Sequence, residues 1–172
     1  MLKNKIAIIG CGNIANFHVP ALSAVGMHCL HCASSYNSKT IKNFATQHKI
    51  NHIWNDPKEL AEAYEEWDGL IITAPVERTI DLLKIAINSG KPVLVEKPVA
   101  IASEELVAFS LNAPSNVIVA YNRRHYNTVQ KARDFVINKS NIRATMCLPE
   151  NVSVEMLDPH LFVQTNSVHG ID

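Results

Sequence analysis

Three short runs carry residue types able to do chemistry, and their spacing suggests which chemistry. Gly10-Cys11-Gly12-Asn13-Ile14-Ala15 has the pattern G-x-G-x-x-A directly after an apolar stretch. The first glycine permits a tight turn, the second lets backbone approach a pyrophosphate, and the small last residue allows close helix-on-strand packing. Gly10, Gly12, Asn13 and Ile14 are therefore candidates to cradle a phosphate, which free N–H groups and the dipole at a helix N-terminus favour. A tight turn without a ligand is the alternative. Glu96-Lys97-Pro98 follows the apolar Val93-Leu94-Val95. It therefore falls at the carboxyl end of a strand, where open α/β sheets bind ligands. A lysine that loses solvation there has a lowered pKa and can exchange a proton with a hydroxyl. An exposed Glu-Lys-Pro turn is the competing reading. The third run is Ala33-Ser34-Ser35-Tyr36-Asn37-Ser38-Lys39, placed about 20 residues past the glycines, where NAD-preferring domains carry an acid for the ribose 2′-hydroxyl. It has no carboxylate. Ser34, Ser35 and Lys39 would accept a 2′-phosphate more readily than an acid would, which favours NADP over NAD; solvated loop residues are the alternative.

These runs need a frame that brings them to one edge, and the rest of the sequence supplies it. Lys5 to Ile9 is apolar on consecutive positions, the pattern of a strand buried on both faces. Ile14, Phe17, Ala21, Leu22 and Val25 then recur at helical spacing up to Gly26, with Pro20 expected to kink or divide that helix. A strand near Met27 to Ala33, a helix near Ser38 to His48 and a helix from Asp56 to about Tyr64 follow. Asp56 before Pro57 reads as an N-cap with proline at the first helical position. Leu70-Ile71-Ile72 is a further buried strand, and Ile80, Leu83 and Ile87 mark a helix ending at Gly90. Strands at Pro92 to Val95 and Asn116 to Ala120 flank a helix begun at Ser103. Repeated β-α units imply an α/β fold, a Rossmann-type doubly wound parallel sheet with helices on both faces. After Tyr121 the texture changes, with a mixed helix from about Thr128 to Asn138 and a strand expected at Ile142 to Leu148. Residues 1–121 thus read as a dinucleotide-binding domain, and residues 122–172 as the opening of an incomplete α+β substrate domain.

Bulk properties narrow the partners. Lysine plus arginine equals aspartate plus glutamate at 16 each, so no net field draws in nucleic acid or an acidic membrane surface. Apolar residues make up 47% of the 172, yet no run approaches the roughly 18 to 20 that a membrane span needs. Only Ile6-Ala7-Ile8-Ile9 precede the glycines, too few for a signal-peptide core, so a cytoplasmic setting is expected. Cys29 and Cys32 are three apart on an expected strand and should point to opposite faces, so they read as buried thiols and no metal site is expected.

Taken together, these pieces resemble the Gfo/Idh/MocA family of NAD(P)-dependent sugar and polyol oxidoreductases. The matching residues are Gly10 to Ala15 with His18 and Pro20-Ala21-Leu22, Thr73-Ala74-Pro75, Gly90-Lys91-Pro92-Val93-Leu94-Val95-Glu96-Lys97-Pro98, and Tyr121-Asn122-Arg123-Arg124. The resemblance implies that Lys97 is the catalytic lysine, touching cofactor and substrate, and that Thr73, Ala74, Pro75, Glu96 and Asn122 border the cofactor. Ser167-Val168-His169-Gly170-Ile171-Asp172 is similar to the family segment whose histidine assists proton transfer, which makes His169 a second catalytic candidate. Where the family often has an aspartate four residues earlier, this chain has Thr165, which cannot act as a carboxylate base. The implied activity is hydride transfer between nicotinamide and a carbinol carbon of a sugar, polyol or nucleotide sugar. A non-catalytic dinucleotide-binding module is the rival. An unpaired edge strand would also make the chain prone to homo-oligomerise.

Overall fold

A computed structural model describes residues 4–35, 39–110 and 114–143. The chain divides into two units, the first ending at Ala120 and the second starting at Tyr121. In the first unit the strands are β1 (Lys5–Ile9), β2 (His28–Ala33), β3 (His52–Trp54), β4 (Gly69–Ile72), β5 (Val93–Val95) and β6 (Val117–Val119). Among the described residues they form one parallel sheet in the order β3-β2-β1-β4-β5-β6. The order reverses beside β1, so the sheet is doubly wound as the β-α alternation implied. Its helices are α1 (Ala15–Ala24), α2 (Lys39–His48), α3 (Pro57–Glu62), α4 (Val76–Ala86) and α5 (Ser103–Ser110).

The four inner strands, β2, β1, β4 and β5, divide their side chains between two cores, one per face. Ile6 and Ile8 pack with Ala15 and Val19 of α1 and with Ile41, Phe44 and Ala45 of α2. Ala7, Ile9, Leu70 and Ile72 pack on the other side with Leu60 of α3 and Leu82, Leu83 and Ala86 of α4. Burial on both faces explains why these strands read as continuous apolar runs.

Several expectations change in detail. β3 was not anticipated: three residues, His-Ile-Trp, give too little pattern to stand out. Cys29 and Cys32 do not point to opposite faces. The pairing of β2 with β1 shifts between Ile6 and Ala7, leaving Leu30 unmatched, and this irregularity turns both cysteines into the same core. Pro20 does not divide α1, which runs unbroken past it. The ring removes one N–H, the helical donor to the Asn16 carbonyl, and Asn16 is half-buried rather than sealed in the core. The buried face of that helix is Ala15 and Val19, with Leu22 alongside; Phe17 and Val25, read as part of the apolar stripe, are exposed at 72% and 69%. At its N-terminus α3 behaves as expected, with Pro57 in the first turn and the Asp56 carboxylate accepting from Lys58 N–H at 2.8 Å. Gly26 and Gly90 take the left-handed conformation that closes their helices.

In the second unit, a 3₁₀ turn at Asn122–His125 leads into α6 (Asn127–Val136). Ile142 and Arg143 are not in a strand, and the rest of the strand expected there lies outside the described residues.

Candidate cofactor site

The residues that open the site are each fixed one position past a strand end, by the last carbonyl of a neighbouring strand. Gly10 N–H donates to Ala33 O (2.8 Å), Thr73 N–H to Ile9 O (2.7 Å), Glu96 N–H to Ile72 O (2.8 Å) and Ala120 N–H to Val95 O (2.9 Å). The sheet ladder thus continues one rung beyond its strands and sets these residues in a row along the carboxyl edge. Neighbouring strands lie roughly 4.8 Å apart, so the ends of β2 and β5, three spacings apart, are roughly 14 Å from each other. That is a length suited to an extended dinucleotide.

The two glycines of the turn have different physical roles. Gly10 has φ +95°, and a Cβ there would lie 2.4 Å from the carbonyl oxygen of Thr73. The Thr73 hydroxyl also donates to Gly10 O at 2.7 Å, which locks β1 to β4 at this point. Gly12 is the opposite case: a Cβ there would meet nothing within 4 Å. Its missing side chain leaves clear space beside the first turn of α1, where orphan N–H groups favour an anion. Asn16 holds the turn from behind, donating to Gly12 O at 3.2 Å while its Oδ1 contacts His48 Nε2 at 2.7 Å.

Around this turn lies a cavity of about 860 Å³, within the usual range for small-molecule sites. Its lining includes nine of the residues anticipated from sequence: Gly10, Gly12, Asn13, Ile14, Ser34, Ser35, Thr73, Ala74 and Pro75. It also includes Thr40, Asn55, Asp56, Lys58, Glu77, Arg78 and Asp81, none of which the sequence reading assigned to the site. All but Asp81, which is mid-helix in α4, stand shortly after a strand end or early in the following helix. Glycine geometry, an open phosphate position and sufficient volume are together a good fit to a dinucleotide.

Glu96 and Lys97 do not line this cavity; they stand at the end of β5, one strand beyond Thr73. Both are half-buried. The Glu96 carboxylate meets His18 Nε2 of α1 at 2.8 Å and accepts from Lys97 N–H at 3.3 Å, so α1 and the end of β5 are tied together beside the lysine. Asn122 begins the 3₁₀ turn of the second unit. Lys39 starts α2, but its side chain is outside the description, and His169 and Thr165 lie outside the described residues.

Cys11, between the two glycines, faces the interior and is 5% exposed. Hydrogen bonding with Cys32, reinforced by burial, holds its thiol far above the ordinary range, and burial pushes Cys29 up to about 12. Cys11, Cys29 and Cys32 are buried free thiols that share one core, and Cys11 alone of the three lines the cavity.

Comparison with known proteins agrees with this geometry. The chain is 29% identical over 123 residues to the uncharacterized oxidoreductase YrbE of Bacillus subtilis (strain 168), covering 72% of this chain and 33% of the relative. It is 27% identical over 146 residues to the trans-1,2-dihydrobenzene-1,2-diol dehydrogenase of Xenopus tropicalis, covering 81% and 43%. The chain therefore spans less than half the length of these relatives. Among solved structures, the WlbA dehydrogenase of Bordetella pertussis, in complex with NADH and UDP-GlcNAcA, shares the fold with a TM-score of 0.69 at 18% identity, over 79% of this chain and 43% of that one. The myo-inositol dehydrogenase of Lactobacillus casei, in complex with NAD(H) and myo-inositol, gives 0.68 at 15%, over 79% and 42%. The family model described as an oxidoreductase family with an NAD-binding Rossmann fold matches residues 4–122, a span that takes in the glycine turn, the cavity walls and Lys97, and the chain belongs to that family, Gfo/Idh/MocA.

Proposed function

We propose that this chain forms the cofactor-binding part of an NAD(P)-dependent oxidoreductase that acts on the carbinol carbon of a sugar, polyol or nucleotide-linked sugar. The observation that carries the reading is the row of residues along the carboxyl edge, with the open glycine turn on β1 and Lys97 on β5 of the same sheet. A bound nicotinamide supplies the hydride chemistry. The protein supports it by position: Gly12 and the first turn of α1 receive the pyrophosphate, and Thr73, Ala74 and Pro75 border the path toward β5. Lys97 is the acid/base, holding or releasing a proton at Nζ as the substrate hydroxyl changes state, with His169 as its assistant. Glu96, braced by His18, fixes the backbone from which Lys97 extends. The sugar-like substrate class rests on the family and on the complexes recorded for WlbA and the Lactobacillus casei enzyme.

On this reading residues 1–121 are the dinucleotide domain and residues 122–172 begin the substrate domain. NADP is preferred over NAD, because Ser34 and Ser35 stand where an acid would bind the ribose. The test is Lys97→Ala in a longer, active form. Turnover should fall by roughly two orders of magnitude or more while cofactor affinity changes little. Turnover retained within about tenfold removes Lys97 as the proton-transfer group.

A further inference from the structure

The cavity wall at the β2–β3 end contains a charge that the sequence reading did not use. β2 pairs with β3 so that Ala33 stands opposite Trp54. The next residues along, Ser34 and Ser35 on one strand and Asn55 and Asp56 on the other, all line the cavity. Lys58 lines it too, two residues past Asp56. The carboxylate in this wall, Asp56, already accepts the N–H of Lys58 through Oδ1 and caps α3. Among the described residues, no ion pair engages the Lys58 ammonium. The remaining charged lining residues, Glu77, Arg78 and Asp81, sit on α4, the helix that packs against α3. The β2–β3 end of the cavity therefore presents two serine hydroxyls and a lysine ammonium, beside an Asp56 carboxylate that already caps α3, a set able to hold a phosphate monoester.

We infer that Lys58 reads the 2′-phosphate of NADP and sets the preference for it, an inference that rests on the dinucleotide-binding reading above. The ribose 2′ position belongs at the end of β2. A lysine stem extends roughly 6 Å, more than one strand spacing, so Lys58 can reach across from the β3 side. Its backbone N–H caps α3 in any substitution, which separates the charge from the fold.

The experiment is calorimetric titration of the 172-residue chain with NADP⁺ and NAD⁺ at one fixed, low ionic strength, because exposed phosphate contacts are screened by salt. The wild type should bind NADP⁺ more tightly. Lys58→Ala should weaken NADP⁺ by about tenfold or more, equivalent to about 1.4 kcal/mol, and leave NAD⁺ within about twofold. Lys58→Glu should invert the preference, and thermal denaturation should show both variants folded. Lys42→Ala, which removes an exposed cation of α2 that does not line the cavity, should keep the wild-type ratio. If the ratio survives Lys58→Ala, or collapses in Lys39→Ala or Arg78→Ala and not in Lys58→Ala, the assignment of Lys58 is overturned. A wild type that binds neither dinucleotide overturns the dinucleotide reading itself, a distinct result from dinucleotide binding whose preference ignores Lys58.

Discussion

Gly10 and Gly12 look equivalent in the sequence, yet their surroundings separate them. A side chain at Gly10 meets the backbone of Thr73 and Ala74, and its φ of +95° is strained for any L residue. The Thr73–Gly10 region cannot relax easily, since Thr73 N–H and Oγ1 both anchor it to β1. Gly10→Ala should therefore destabilise the fold by about 2–4 kcal/mol, through a clash and a strained dihedral together. Gly12→Val should behave differently, because the added atoms enter open space. We expect its melting temperature within about 2 °C of wild type and its dinucleotide affinity at least about tenfold lower. Paired thermal denaturation and calorimetry check both. A Gly12→Val chain that binds as wild type would falsify the view that this glycine clears room for the pyrophosphate.

The elements that position these residues were mostly legible from apolar spacing, because strands buried on both faces leave continuous runs that few other structures produce. Three-dimensional detail was not. The short β3 has almost no pattern, the irregularity in β2 depends on its pairing with β1, and the cavity wall joins Lys58, Arg78 and Asp81 from separate elements. The unexpected β3 also brings together an aromatic cluster at the sheet edge. His31 of β2 is 4% exposed, stacks on His52 at 4.7 Å, and accepts from Trp54 Nε1 at 3.1 Å through Nδ1. Burial first, then the neighbouring His52 and Lys5, lower its pKa from 6.5, with Glu66 opposing. The folded chain then binds fewer protons at His31 than the unfolded chain, so this contribution to stability is intact above pH 6.5 and is lost as pH falls through the lowered value. Asp68, whose carboxylate is lowered by the N–H groups of Lys5 and Asn4, acts only in a more acidic window. Melting followed from pH 7.5 to 5 should show a decline in the wild type and a shallower one in His31→Gln, which retains an acceptor for Trp54. Equal slopes would remove His31 as the source.

At the scale of the molecule, binding and catalysis make different demands on the chain. Gly10, Thr73 and Glu96 are held on one sheet, through hydrogen bonds between neighbouring strand ends and two cores that close over its faces. Among the described residues, the glycine turn and the cavity walls all come from the first unit. Hydride transfer asks for more, because the reacting carbon must be kept close to the nicotinamide and aligned with it, and a displacement of about 1 Å can cost on the order of a hundredfold in rate. The relatives that share the fold are longer than this chain, which covers only 33% and 43% of the two compared in sequence. We therefore expect the 172-residue chain to bind NADP(H) and to show no appreciable turnover of sugars, polyols or nucleotide sugars when followed by nicotinamide absorbance. The binding measurement guards against a trivial failure, since an unfolded sample would bind nothing. Turnover by a monodisperse preparation, abolished by Lys97→Ala, would show that the substrate is oriented by these residues alone and would reverse the expectation.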